Sequence, residues 1–322
     1  MLRSPAASAP GTTVTLRPAH WTGMGRFFLL GSLCLTLLSC ATQVSLERTP
    51  GSGAAEKLVL PMHFRADAPH VTGRLNGGKE LPMLLDTGAS ICVLEGAAAS
   101  ANGVRPGRGR PVRIRGIHGN TSAAPAVIRS LSLGPWQVAD VPCYVRQGGR
   151  LGDLGNVILG IDFVRRHCRF ITFDYAHGRV ELGFDRSFSP RQGAQVTRAP
   201  FRLEDGLPMI RVSSGGLSWD AIVDTGSSWG IVIDQLTATH LGHPHDGASL
   251  GRNMVLSGVG GSISADDAGA RVIRVPAATV GGRTTAHTDM FVMPGPMRIG
   301  SRFWHGSRLT LDFRSRTLWL ER

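Results

Sequence analysis

Two eight-residue stretches of this chain share one pattern, and any fold it adopts has to accommodate both. Residues 84–91 read Leu84-Leu85-Asp86-Thr87-Gly88-Ala89-Ser90-Ile91, and residues 222–229 read Ile222-Val223-Asp224-Thr225-Gly226-Ser227-Ser228-Trp229. Each is an apolar strand that ends on an acid and turns through a glycine. An Asp-Thr-Gly word arises at roughly one position in ten thousand at average composition. Two copies behind apolar pairs, 138 residues apart, point to duplication. A buried strand carries its carboxylate inward, where an unpaired charge is costly. Glycine permits the tight turn and offers its amide, and threonine adds a stiff, short hydroxyl that can brace a neighbouring loop. Two such loops facing one another bring two carboxylates into one site. Like charges that close cannot both ionise, so the pair shares a proton, one acid and one base around a bound water.

The repeat extends beyond these words. Val112-Arg113-Ile114-Arg115-Gly116-Ile117-His118-Gly119-Asn120 alternates into paired glycines, as the tip of a β-hairpin does. Met254-Val255-Leu256-Ser257-Gly258-Val259-Gly260-Gly261 is its counterpart; Gly116 follows Asp86 by 30 residues and Gly258 follows Asp224 by 34. Further strands are expected at 126–133 and 138–145, and again at 271–275 and 289–293. Next come Val157-Ile158-Leu159-Gly160-Ile161-Asp162-Phe163 and Met297-Arg298-Ile299-Gly300-Ser301-Arg302-Phe303, each an apolar segment before glycine and then a short helix, with Arg298 standing where an apolar residue belongs. Each half closes on a strand pair, 170–175 with 180–182 and 309–313 with 318–320. A repeat this long means two copies of one fold. The hairpin that opens the first copy is expected from Leu58–Phe64 and His70–Leu75, and a short helix at Glu95–Ala101.

Paired Asp-Thr-Gly loops with glycine-tipped hairpins resemble the retropepsin-like aspartic peptidases, over most of the chain after residue 57. The resemblance implies an all-β fold of two acid-protease lobes related by a pseudo-twofold axis, at 58–186 and 200–322, joined by a linker at 187–199. It implies that Asp86 and Asp224 form the catalytic dyad, that Thr87 and Thr225 brace the loops across the axis, and that Gly88 and Gly226 supply turn and donors. The hairpin tips Gly116, Ile117, His118 and Gly119, and Gly258, Val259, Gly260 and Gly261, correspond to flaps that close over an extended polypeptide substrate. No cofactor is implied. Both acids lie in one chain, so the dyad is expected within a monomer.

The N-terminal part reads differently. Arg26 precedes a short apolar run, 27–38, that ends in Leu37-Leu38-Ser39-Cys40. A charged start, about twelve apolar residues and small residues at a cut site describe a secretion signal, and the run is shorter than the roughly twenty residues of a membrane-spanning helix. Residues 1–39 are the signal segment, 24–39 its core, with Met24 a second candidate start. The Leu-Leu-Ser-Cys tail resembles the lipobox of bacterial lipoproteins, which implies lipid on Cys40, a membrane anchor, and a periplasm-facing place on the outer membrane. Residues 40–57 are small and polar and read as a tether.

The formal charge is +12, and Lys57 and Lys79 are the only lysines. An arginine-rich surface attracts anionic membranes or acidic partners, and a genome biased towards arginine codons gives the same composition. There is no nucleic-acid motif. His240, His243, His245 and Asp246 lie close together but in a glycine- and proline-broken loop with no glutamate base, so no metal is expected there. Cys92, Cys143 and Cys168 allow one bridge or none. Neither Ser90 nor Ser228 sits in a Gly-x-Ser-x-Gly elbow. The rival reading is a catalytically silent peptide-binding lipoprotein on the same fold; a metal-binding envelope protein using the histidines is the more distant one.

Overall fold

Met83, Leu84 and Leu85 are consecutive and all buried, so the strand Leu81–Asp86 is covered on both faces. Ala221, Ile222 and Val223 make the strand Leu217–Asp224 its equal. Around each, the computed structural model, which describes residues 45–48, 55–116, 119–147, 155–251 and 253–322, builds an eight-stranded sheet. The proposed lipid site Cys40, the signal segment and the flap residues Ile117 and His118 lie outside the described residues.

The first sheet runs His63–Arg65, Ala68–Leu75, Leu81–Asp86, Val157–Gly160, Val93–Glu95, Trp136–Arg146, Asn120–Leu133 and Val112–Arg115. The second runs Arg202–Glu204, Leu207–Ser214, Leu217–Asp224, Arg298–Gly300, Ile231–Ile233, Arg283–Val292, Arg271–Val280 and Ala248–Ser249, which is the same order. In both, the second strand also pairs with the seventh, curling the sheet back on itself. In both, the strand that ends on aspartate pairs in parallel with the later strand that ends on glycine, placing Gly160 beside Asp86 and Gly300 beside Asp224. These glycines are required: a Cβ at Gly160 would lie 2.4 Å from the Ile91 oxygen, and one at Gly300 2.2 Å from the Trp229 oxygen.

A third, seven-stranded sheet joins the halves, in the order Ser45–Arg48, Ala55–Pro61, Arg179–Gly183, Phe170–Asp174, Arg308–Asp312, Thr317–Glu321 and Val196–Pro200. At its centre Thr172 lies opposite Thr310 and their hydroxyls hydrogen-bond at 2.7 Å, so the pseudo-twofold axis passes between two equivalent residues. Leu58, Ile171, Phe173, Leu309 and Leu311 link this sheet to a single apolar core shared by both halves. Three of its buried charges are paired: Arg308 contacts Glu181 at 2.8 Å and also Glu321. That is how charge can be kept inside a sheet.

Several boundaries differ from those expected. Leu58–Phe64 is not one strand. Ala55–Pro61 pairs with Arg179–Gly183 in the joining sheet, and only His63–Arg65 forms the hairpin with Ala68–Leu75. The hairpin turns through Ala66 and Asp67 at φ 45° and 61°. That mirror-image turn usually needs Asn-Gly or Asp-Gly, so the Ala-Asp pair carries little signal in the sequence. Val196–Pro200, which covers the end of the stretch read as a linker and the first residue after it, is the edge strand of the joining sheet. The short helix begins at Gly96. Among the described residues no helix is long and apolar enough to cross a membrane.

Candidate active site

The two buried strands deliver Asp86 and Asp224 to one place, and threonine holds them there. Thr87 and Thr225 are buried at 1% and 0% exposure. The Thr87 amide donates to the Thr225 hydroxyl at 3.1 Å, and the Thr225 amide donates to the Thr87 hydroxyl at 3.0 Å. Each hydroxyl then donates onward, Thr87 to the Val223 carbonyl at 2.5 Å and Thr225 to the Leu85 carbonyl at 2.6 Å. A hydroxyl both accepts and donates, so four buried bonds close a reciprocal lock between the loops.

The lock sets the two carboxyl groups face to face, each close enough for its charge to act on the other. Each also takes an amide from its own turn: Asp86 accepts from Gly88 at 2.8 Å and Asp224 accepts from Ser227 at 3.0 Å. The glycines make room for the opposite acid, because a Cβ at Gly88 would stand 2.4 Å from the Asp224 carboxyl carbon and one at Gly226 2.4 Å from that of Asp86. Burial, then the charge of Asp224, pushes Asp86 well above the usual carboxylate range. Burial also raises Asp224, opposed by the Arg298 guanidinium. Two carboxyl groups thus face each other, with a backbone donor behind each.

Residues to which the sequence pattern assigned no role complete the surroundings. Ser301 donates to the Thr225 carbonyl at 2.8 Å, and the Tyr175 hydroxyl lies 3.1 Å from Ser301 Oγ. Arg298 is 1% exposed and its Nε lies 3.8 Å from Asp224 Oδ2. Beside the second loop a cavity of about 180 Å³ is lined by Ser227, Trp229, Leu256, Met293 and Arg298 among others. Trp229 was visible directly after the second Asp-Thr-Gly word; Tyr175 and Ser301 gave no signal, because their role depends on strands brought together only by the fold.

Both hairpins are present. Gly116 donates to the Gly119 carbonyl at 3.0 Å across the first tip. Val255–Gly258 and Gly261–Ser264 form the second, with Gly261 at φ 131°. The tips touch: a Cβ on Gly116 would sit 2.4 Å from the Gly260 nitrogen. Val259 and Ile114 pack together against the cluster of Ala68, Leu84, Val93 and Ile158 beside the first loop. The other motifs do not converge here. His243 pairs with Asp246 at 2.7 Å on an exposed loop, and among the described residues no group of three metal-ligating side chains assembles. Cys92, Cys143 and Cys168 are free, buried thiols, so the open question of a bridge is answered without one.

Residues 71–163 match the family model described as aspartyl protease. The match covers the strand to Asp86, the first hairpin and the strand to Gly160, and it supports a protease of the retropepsin-like type. No curated protein matches the chain.

Proposed function

We propose that this chain is an aspartic endopeptidase in which Asp86 and Asp224 act as one dyad. The observation that carries the reading is the reciprocal threonine lock, which sets two carboxyl groups face to face at the ends of buried strands. In the singly protonated pair, the carboxylate takes a proton from a bound water as its oxygen adds to the peptide carbonyl carbon. The protonated acid gives its proton to the carbonyl oxygen. When the tetrahedral species collapses, the C–N bond breaks and the amine nitrogen leaves with a proton, giving an acid and an amine. No covalent intermediate and no cofactor are needed. The hairpins around Gly116–Gly119 and Gly258–Gly261 would hold an extended peptide by strand-like pairing and exclude water.

The same reading places the enzyme, as a monomer with an intramolecular dyad, on a bacterial envelope membrane. The support is the Leu37-Leu38-Ser39-Cys40 word behind a short apolar run, followed by a small polar tether. Lipid on Cys40 would hold it facing the periplasm, with the outer membrane favoured by Ala41 after the cysteine. The test is a peptide-library digest with residues 41–322 beside an Asp224→Asn control. Cleavage by the parent and none by the control is expected. A folded parent that binds peptides but cleaves none at any pH would favour the silent peptide-binding lipoprotein instead.

A further inference from the structure

The two lobes provide their own control at one position. Ile158 and Arg298 occupy equivalent places, each two residues before the glycine that flanks the aspartate, paired with Leu84 and Ile222 respectively. Both are buried, at 0% and 1% exposure. The first lobe shows that an aliphatic side chain satisfies the packing there. Arginine in the second lobe comes at a cost: Nη1 donates to the Pro296 carbonyl at 2.9 Å and Nε reaches Ser227 Oγ at 3.4 Å, but Nη2 is buried with no hydrogen-bond partner among the described residues. A buried donor left unmade is unfavourable, so packing does not account for the residue. What arginine supplies, and isoleucine cannot, is a permanent positive charge, and its Nε lies 3.8 Å from Asp224 Oδ2.

We propose that Arg298 is a positioning residue that assigns the shared proton, holding Asp224 as the carboxylate and leaving the proton on Asp86. A dyad with true twofold symmetry would place the proton on either acid equally. One fixed cation on one side breaks that degeneracy. Asp86 then donates to Asp224 and, in the peptidase reading on which this catalytic consequence rests, Asp224 is the base towards water and Asp86 the acid towards the carbonyl oxygen. The titratable groups facing Asp224 are Asp86 from the opposite loop, Arg298 from the neighbouring strand, and Tyr175, which feels the charge of Asp224 and whose hydroxyl lies against Ser301. Burial pushes Tyr175 up, so it stays neutral, and Arg298 is the one cation among these three. The directions agree: burial raises both acids, but Arg298 offsets the rise at Asp224, whereas Asp86 is raised further by its partner's charge.

The test has two arms. Carboxyl carbon NMR on Asp86→Asn and Asp224→Asn proteins reads each remaining acid alone and requires no peptidase activity. Asp224 should titrate at least about one unit below Asp86, a tenfold difference in proton affinity. In the second arm, Arg298→Met should keep the fold at some cost in stability, because Asp224, left without its cation, takes up a proton more readily instead of standing as an unpaired buried charge, and Met mimics what Ile158 does in the first lobe. Its acid limb of kcat/KM should move up by about one unit, and Arg298→Lys should restore part of the shift. Equal titration of the two acids, or a lower value for Asp86, overturns the assignment. So does an unchanged acid limb in a folded Arg298→Met enzyme. If Arg298→Met does not fold, the NMR arm and Arg298→Lys decide. If the parent cleaves nothing, the peptidase reading fails while the titration still judges the proton assignment.

Discussion

Beside Asp86 the neighbouring strand and helix present Ile158 and Ile161; beside Asp224 the same positions hold Arg298 and Ser301. Both aspartates sit on the same strand, in the same order of the same sheet, behind the same threonine lock. The backbone is therefore duplicated while the electrostatics are not. The hairpins differ too. In the first lobe Val112–Arg115 pairs with the start of Asn120–Leu133, which continues into the sheet. In the second lobe, among the described residues, Val255–Gly258 pairs only with Gly261–Ser264, and the sheet edge is taken by Ala248–Ser249 instead. A duplicated fold can thus keep the geometry that needs two halves and let each half specialise in what surrounds it.

The strongest test of that division asks whether the two aspartates are interchangeable in consequence even though their neighbours differ. Asp86→Asn, Asp224→Asn and the double variant should each lose at least about 10³-fold in kcat/KM, with no further loss in the double, because groups acting as a unit are non-additive. Asparagine keeps shape and hydrogen bonding, so all three should stay folded by circular dichroism. Mixing the single variants should restore nothing. Recovery on mixing would mean that halves pair between chains.

Next in size is the lock. Thr87→Ala and Thr225→Ala each orphan a buried amide in one lobe and a buried carbonyl before the aspartate of that lobe. Each should cost about 2–4 kcal/mol in chemical denaturation, since an unsatisfied buried group costs about 1–3. The two costs should match, and the double variant should cost less than their sum because the residues share partners. A clear inequality would show that the lock, like the electrostatics, has become one-sided.

How much of this was legible follows from where each signal lives. The facing of the two Asp-Thr-Gly loops and their threonine bracing were readable, because turn and strand chemistry is local and occurs twice in Asp86-Thr87-Gly88 and Asp224-Thr225-Gly226. The opening hairpin was expected, but not where its first strand begins and turns, because Leu58 to Pro61 belong to the joining sheet and Ala66 and Asp67 take φ values normally signalled by glycine or asparagine. The strand Val196–Pro200 was missed because its burial alternates only weakly and it is an edge strand, held by one partner, Thr317–Glu321. Arg298 stood out as a departure from the repeat, but its meaning required knowing that its guanidinium lies beside Asp224 and not in solvent. Tyr175 and Ser301 meet across 126 residues of sequence, and nothing in either neighbourhood announces the contact.

A smaller effect contrasts two buried aspartates of opposite character. Burial, then Asp224, raises Asp86, so between its ordinary value of 3.8 and its folded value the native state binds the extra proton. Its contribution to stability is present below 3.8 and is lost as pH rises through the folded value. At Asp174, in the joining sheet, burial would raise the carboxyl but His177 and Arg191 outweigh it and hold it below 3.8. Its contribution is present above 3.8 and is lost as pH falls through the lower folded value. Denaturation midpoints against pH should therefore flatten above 3.8 in Asp86→Asn and flatten below it in Asp174→Asn. Identical pH slopes in the two variants would contradict these environments.

The smallest effect concerns the hairpins. A two-stranded ribbon is marginal by itself in water, and the second hairpin has no strand neighbour beyond its own pair among the described residues. What anchors it is Leu256, buried at 3% in the cluster with Val232, Phe291 and Met293, while Val255 is 57% exposed. The first hairpin shares its strand Asn120–Leu133 with Trp136–Arg146, so opening it disturbs the sheet. Local opening is cheapest where few buried apolar contacts and few neighbouring strands resist it. The hydrogen-bonded amides of Val255–Gly258 and Gly261–Ser264 should thus exchange roughly tenfold faster than those pairing Val112–Arg115 with Asn120–Leu133. Leu256→Ala should widen the gap by loosening the anchor, with little change at the first hairpin. A substrate-mimicking peptide should narrow it by giving the second hairpin a strand to pair with. Equal exchange in both, unaffected by Leu256→Ala, would mean that contact between the tips at Gly116 and Gly260 makes them open as one body.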